Sequence, residues 1–170
     1  MRDSRTANLL GALVLALHDE MEAATTAAAE HGAAYPAALA TILGAPGLTI
    51  EALRQILGLS HSGTVRLLDA LEAEGSVVRK SGKDARSVAV ELTASGRRQA
   101  QAVLRARETA LGPALESLSA AERGQLLRLT EKLLASLTRN PQHADTICRL
   151  CDLGACPEDS CPVECAARGT

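Results

Sequence analysis

Apolar residues return every three or four positions over most of the chain, the period of an amphipathic helix. The first such run puts Leu9, Leu10, Leu13, Val14, Leu17 and Met21 on one stripe. It predicts a long helix from about Ala7 to Glu30, ending near Gly32. Tyr35-Pro36 opens a short second helix reaching Leu43, since proline suits a first turn, and Gly44-Ala45-Pro46-Gly47 then breaks the chain. Thr49 is placed to cap a third helix, Ile50–Leu57, with Ile50, Leu53 and Leu57 at helical spacing. Gly58-Leu59-Ser60 reads as a tight turn. Ser60 then caps a fourth helix, from His61 to about Glu74, with Val65, Leu68 and Leu71 inward, and Gly75 stops it.

The period now changes. Ser76–Lys80 and Ser87–Leu92 read as two strands of a hairpin, joined by the polar, glycine-containing loop 81–86. Thr93 caps the next helix, which carries Arg97, Arg98, Arg105 and Arg107 and runs past Leu111; Pro113 is expected to kink or divide it. Ser119-Ala120-Ala121-Glu122 is a capping box for a last helix with Leu126, Leu129, Leu133 and Leu137 on one face. Asn140-Pro141 ends that helix. The remainder is expected to be a cysteine-rich tail, too short for a core of its own.

Composition narrows what such a chain can do. Among 170 residues there is no Phe and no Trp, and Tyr35 is the only aromatic residue. Stacking platforms for single-stranded nucleic acid and aromatic cages are therefore excluded, and the core must be aliphatic. The net charge of −2 hides a segregation. Residues 1–53 carry a balance of −4, residues 54–107 hold 10 basic against 5 acidic side chains, and residues 108–170 carry −3. A basic middle between acidic ends points that middle at a polyanion. Arg2 and Arg5 before the apolar run Leu9–Leu17 imitate a signal peptide, but Asp19, Glu20 and Glu22 follow where a cleavage region would be neutral. The run is also too short to span a bilayer. The expected compartment is the cytoplasm, with no membrane partner.

The order helix, tight turn, capped helix, hairpin is that of a winged helix-turn-helix, in which the second helix lies in the DNA major groove and the hairpin reaches along the backbone. The expected fold class is mainly α with a small β-hairpin wing. Candidate DNA contacts on the recognition helix are Ser60, His61, Ser62, Thr64 and Arg66; on the wing they are Arg79, Lys80, Lys83 and Arg86, with Asp84 placed to hold the Arg86 guanidinium. Neither a phosphate loop nor a nucleophile motif is present, so no enzyme is expected.

The stretch Leu59 to Gly96 carries the recognition-helix pattern, Asp-x-Arg in the wing (Asp84, Arg86) and Leu-Thr-x-x-Gly at the start of the next helix (Leu92, Thr93, Gly96). In these features, in this order, the chain resembles the MarR family of bacterial transcription regulators, and flanking helices extend the likeness over residues 7–139. The resemblance implies an obligate homodimer, held by the N-terminal helix and the last two helices, on a pseudo-palindromic double-stranded operator. It implies that Arg86 enters the minor groove and that Arg66 with its neighbours reads the major groove. On this basis residues 1–33 form an N-terminal dimerisation helix, 34–110 a winged helix-turn-helix domain plus wing, 111–140 C-terminal dimerisation helices, and 141–170 the tail. Many relatives bind phenolic effectors, for which only Tyr35 could supply a ring here.

All five cysteines lie in the last 23 residues, spaced His143-x4-Cys148-x2-Cys151-x4-Cys156-x4-Cys161-x3-Cys165. An odd count beside a large aliphatic core does not describe a secreted disulfide scaffold. A C-x2-C pair lets two sulfurs approach one metal from a single turn, and Cys156 and Cys161 can complete a tetrahedral set with Cys148 and Cys151. An iron–sulfur cluster and a Zn²⁺ staple both fit four thiolates, with Cys165 and His143 as spare ligands; free thiols or a reversible disulfide are the other readings. The expected function is a dimeric DNA-binding regulator, a repressor, sensing metal or redox status through this tail. A small metal or electron carrier on a helical scaffold is the alternative from a different class, and a regulator with a purely structural zinc is another.

Overall fold

Caps written into the sequence set most of the element boundaries. In a computed structural model that describes residues 4–29, 31–82, 87–156 and 159–169, the elements are α1 (Ser4–Ala29), α2 (Ala34–Gly44), β1 (Leu48–Thr49), α3 (Ile50–Leu57), α4 (His61–Ala73), β2 (Val77–Ser81), β3 (Val88–Leu92), α5 (Ala94–Glu116), α6 (Ala120–Leu137), α7 (Pro141–Cys148) and α8 (Pro162–Arg168). Thr49, Ser60 and Thr93 each accept a backbone N–H of their helix's first turn, and Ser119 with Glu122 closes a full capping box. Gly58 ends α3 in the left-handed conformation, at φ 65°, which a side chain would disfavour.

The three strands form one antiparallel sheet in the order β1-β3-β2. The wing hairpin pairs Val77 with Leu92 through to Ser81 with Val88, and β1 pairs Leu48 with Val90. Two residues are too few to show an alternating pattern, so β1 is not visible in the sequence. Leu39, Ile42, Leu53, Leu68, Leu71, Val77, Val90 and Val103 fill the core between α2, α3, α4, the sheet and α5. The core is aliphatic apart from Tyr35.

Two long helices are barely buried within the chain. α1 packs along α5 and buries only Thr25, while α6 buries nothing. Their leucine stripes face outward, Leu13 being 48% exposed, Leu129 59% and Leu133 47%.

Two expectations need correcting. Pro113 does not divide α5, which continues past it to Glu116 and forfeits only the proline's own N–H bond; the boundary expected at 110–111 lies inside this helix. The tail is also folded. Asn140 ends α6's connection and caps α7, accepting the His143 N–H at 2.9 Å with Pro141 at the helix start. Ala144, Cys161 and Val163 then form a small core with Leu134, Ile147, Cys148, Cys156 and Ala167. This core is possible because α6 lends it a wall and the helix-turn-helix lends a floor: Thr41 Oγ1 donates to the Arg149 carbonyl at 3.0 Å, Leu153 sits over Gly44, and Leu150 reaches the main core.

The Leu-Thr-x-x-Gly motif has a packing cause. Thr93 Oγ1 donates to the Gly75 carbonyl at 2.6 Å and its N–H reaches the Ser76 carbonyl at 3.0 Å. That brings α5 against Ser76 so closely that a Cβ on Gly96 would stand 1.9 Å from the Ser76 oxygen. Because backbone cannot swing aside as a side-chain end can, Gly96→Ala is expected to cost about 3 kcal/mol. Urea unfolding of the purified variant, with an unchanged slope and a lowered midpoint, is the measurement.

Candidate nucleic-acid interface

The turn Gly58-Leu59-Ser60 sets how α4 leaves α3, and a staple holds it. Arg54 lies against Glu51 at 2.6 and 2.8 Å and donates to the Leu59 carbonyl at 3.3 Å. The guanidinium holds the Glu51 carboxyl down at about 2. At the start of α4, Ser60 Oγ accepts the Gly63 N–H at 3.1 Å and lies 3.3 Å from Ser62 Oγ. His61, Ser62 and Arg66 stand exposed on its first two turns. Thr64, expected as a DNA contact, is not available: it is fully buried and its hydroxyl donates to the Ser60 carbonyl at 3.0 Å. Its position faces the core because the inward stripe of α4 runs through Thr64, Leu68 and Leu71.

The wing's two described cations, Arg79 and Lys80, are engaged within the chain. Arg79 bridges Asp69 at 2.6 Å and Glu72 at 2.8 Å, one turn apart on α4, while its Nε is buried without a partner. Lys80 pairs with Glu91 across the hairpin at 2.6 Å. Lys83, Asp84 and Arg86 lie outside the described residues. Arg79 therefore clamps strand β2 to the recognition helix and neutralises its acidic later turns. The sequence carried a signal for this: Asp69 and Glu72 share one helical face three residues apart.

Behind α4 lies a polar joint that sequence reading missed. The Tyr35 hydroxyl donates to Glu74 at 2.5 Å, Ser76 donates to Gln99 at 2.6 Å, and His31 pairs with Glu74 while stacking on the Tyr35 ring at 4.2 Å. Tyr35 is thus spent on architecture. Burial, and then the Glu74 carboxylate, push its pKa up to about 12.

In the tail, Cys148, Cys151, Cys156 and Cys161 line one cavity of about 170 Å³ against Ala40, Gly44 and Ile56. Cys148 and Cys151 shift each other's titration, and Cys161 shifts that of Cys156. Donation from Cys148, helped by Arg107 and Arg149, brings Cys151 down to about 6 and raises Cys148, whereas burial and then the bond to Cys161 push Cys156 up to about 11. Cys165 donates to the Asp159 carbonyl at 3.6 Å, and the His143 Nδ1 is buried without a partner; neither lines that cavity. Among the described residues no group of three or more His, Cys, Asp or Glu is gathered tightly enough to grip a metal ion as it stands. No described helix is long and apolar enough to cross a membrane.

Comparison with known proteins follows the same segment. The sequence profile of the MarR family matches residues 33–87. The fold is similar to that of YusO from Bacillus subtilis, at TM-score 0.65 and 22% identity over 78% of this chain and 96% of that one. It is also similar to the Mycobacterium tuberculosis MarR family protein Rv2887, at TM-score 0.60 and 25% identity over 78% and 96%. Over residues 33–87, which hold α2, β1, α3, α4 and β2, the chain is similar to the MarR family. A mutant of MepR from Staphylococcus aureus, bound to an oligodeoxyribonucleotide, shares the fold at TM-score 0.58 and 19% identity over 78% and 98%. No curated protein sequence matches the chain significantly.

The joint behind α4 is directly measurable. With a single tyrosine in the chain, tyrosinate absorbance reports Tyr35 alone, and its midpoint is expected near 12 in the folded protein. Because the folded pKa is raised above the unfolded value of 10.0, its share of stability is complete below pH 10 and is lost as pH rises toward 12. Tyr35→Phe should lower stability by about 2 kcal/mol, the worth of a hydrogen bond to a carboxylate, and remove the alkaline loss.

Proposed function

We propose that this protein is a sequence-specific double-stranded-DNA-binding transcription regulator that acts as a homodimer and represses by occupying its operator. The observation that carries the reading is the exposed amino-terminal face of α4. His61, Ser62 and Arg66 project from a helix whose register is fixed by the Ser60 cap and the Gly58 turn, while the acidic later turns are covered by Arg79. An arginine there can meet guanine or phosphate, and the serine and histidine supply donors at base-edge height. By the resemblance of the Asp84-x-Arg86 motif to the family's wing, Arg86 is assigned to the minor groove. A structural neighbour is seen bound to an oligodeoxyribonucleotide, which supports DNA as the partner.

The second copy is argued from α1 and α6. Leucine stripes on both helices stay exposed in the single chain, and contiguous apolar faces of this kind mark protein interfaces. Joining them to a twin chain would bury both stripes and place two recognition helices on successive turns of a duplex. The tail, resting on both α6 and the helix-turn-helix, is where a metal or redox signal would enter.

Two measurements test this. In fluorescence anisotropy with operator-containing duplex, affinity should fall steeply with salt, and Arg66→Ala should weaken binding and flatten the salt slope by about 1 if it meets a phosphate. Salt-independent binding, or none at low ionic strength, would overturn the DNA reading. Leu129→Glu with Leu133→Glu should give a monomer in sedimentation velocity with DNA affinity reduced at least about tenfold, since charges at a buried seam are left unpaired; a dimer that persists would exclude α6 from the interface.

A further inference from the structure

We infer that Cys148, Cys151, Cys156 and Cys161 form a four-thiolate metal site whose occupation locks the tail between the helix-turn-helix and α6. The inference deepens the regulator reading and rests on it for its effect on DNA. It starts from placement. Cys148 closes α7 and Cys151 follows a tight turn in which the Cys151 N–H reaches the Cys148 carbonyl at 2.8 Å, so the C-x2-C pair faces one way. Cys161 stands at the start of α8, with Cys156 on the preceding loop. All four line the same cavity and no disulfide joins them, although among the described residues they are not yet gathered closely enough to grip an ion.

Four sulfurs at about 2.3 Å from zinc are a familiar closed set, and reaching it requires the cavity of about 170 Å³ that the four cysteines line to contract around the ion. Four sulfurs select borderline and soft metals, a Zn²⁺ ion or an iron–sulfur cluster, over Mg²⁺ or Ca²⁺, which take oxygen. Zinc takes the four cysteines as thiolates: every S–H still present breaks, four Zn–S bonds form, and the released protons leave to solvent. A plainer role for these residues is packing, because Cys148, Cys156 and Cys161 belong to the tail's small core. Packing alone, however, does not account for four thiols turned into one cavity.

The site touches both moving parts. Its cavity is walled by Thr41, Gly44 and Ile56 of α2 and α3, and its core includes Leu134 of α6. A metal that ties α7 to α8 therefore fixes the recognition unit relative to the exposed α6 face.

The test uses the full chain purified without oxygen. Metal analysis is expected to give about one zinc per chain, or iron and sulfide with visible absorption bands, the two arms that separate an ion from a cluster. Cys151→Ser with Cys156→Ser, both half-buried so that folding is spared, should lower metal affinity at least about tenfold; Cys165→Ser should leave it unchanged. A chain that binds neither zinc nor iron and sulfide after reconstitution, or a double variant that holds metal as well as the parent, overturns the site. Removing the metal should weaken binding to operator duplex at least about fivefold, and unchanged affinity overturns the coupling. Metal content is read without DNA, so a chain that holds metal and ignores every duplex refutes the regulator reading and leaves the site standing.

Discussion

Three backbones meet where α4 ends, and the position of everything that could touch DNA depends on that meeting. Gly75 turns at φ 68°, Ser76 starts toward the wing, and Gly96 lets α5 press on the Ser76 carbonyl. Thr93 ties the same point from the other side. Ser76 is fully buried there, which its hydrogen bond to Gln99 makes tolerable. Glu74, two residues before Ser76, receives Tyr35 and His31 from the α1–α2 end of the molecule. Recognition helix, wing and long helical arm are therefore fixed to one another at a single buried joint, and a displacement of any of them is felt by the other two.

Charge is distributed to suit that joint rather than to maximise a basic surface. The surplus of residues 54–107 looks, on paper, like a single DNA-facing field. In the folded chain Arg54 serves Glu51, Arg79 serves Asp69 and Glu72, and Lys80 serves Glu91. These pairs are exposed enough to add little stability each. Their effect is positional: acidic side chains on α4 and β3 are neutralised where they would otherwise repel phosphate, and Arg66 is left as a cation on the exposed early turns of α4. Specific readout needs few contacts held firmly more than it needs many cations.

The legible part of this chain was the part governed by local rules. Ser60, Thr49, Thr93 and the Ser119–Glu122 box each announce a helix start through a side chain bonding its own first turn, and the helix boundaries from Ile50 to Ala73 follow from them. Positions decided by distant partners were not legible. Thr64 is polar and near the helix start, yet α4's phase turns it inward; Arg79 resembles a free wing arginine until α4 brings two carboxylates to it. Glu74 and Tyr35 stand 39 residues apart, and no periodicity announces their bond. The tail misled for the same reason. Judged by its own residues it has no core, but Leu134 and the α2–α3 surface supply the missing walls.

That last point bears on how such a protein could be regulated at all. A disordered tail can carry a metal without consequence for the rest of the chain, since nothing differs between its two states beyond its own order. Here Thr41 grips the Arg149 backbone, Leu150 enters the main core and Val163 closes against Ala144 in the tail core that Leu134 of α6 joins. A change in the tail is thus a change in the contact between the helix-turn-helix and the arm that presents its leucines outward. In a dimer joined through that arm, the spacing of two recognition helices must match about 34 Å along the duplex, and a shift of a few ångströms at the tail is of the size that such a match would register.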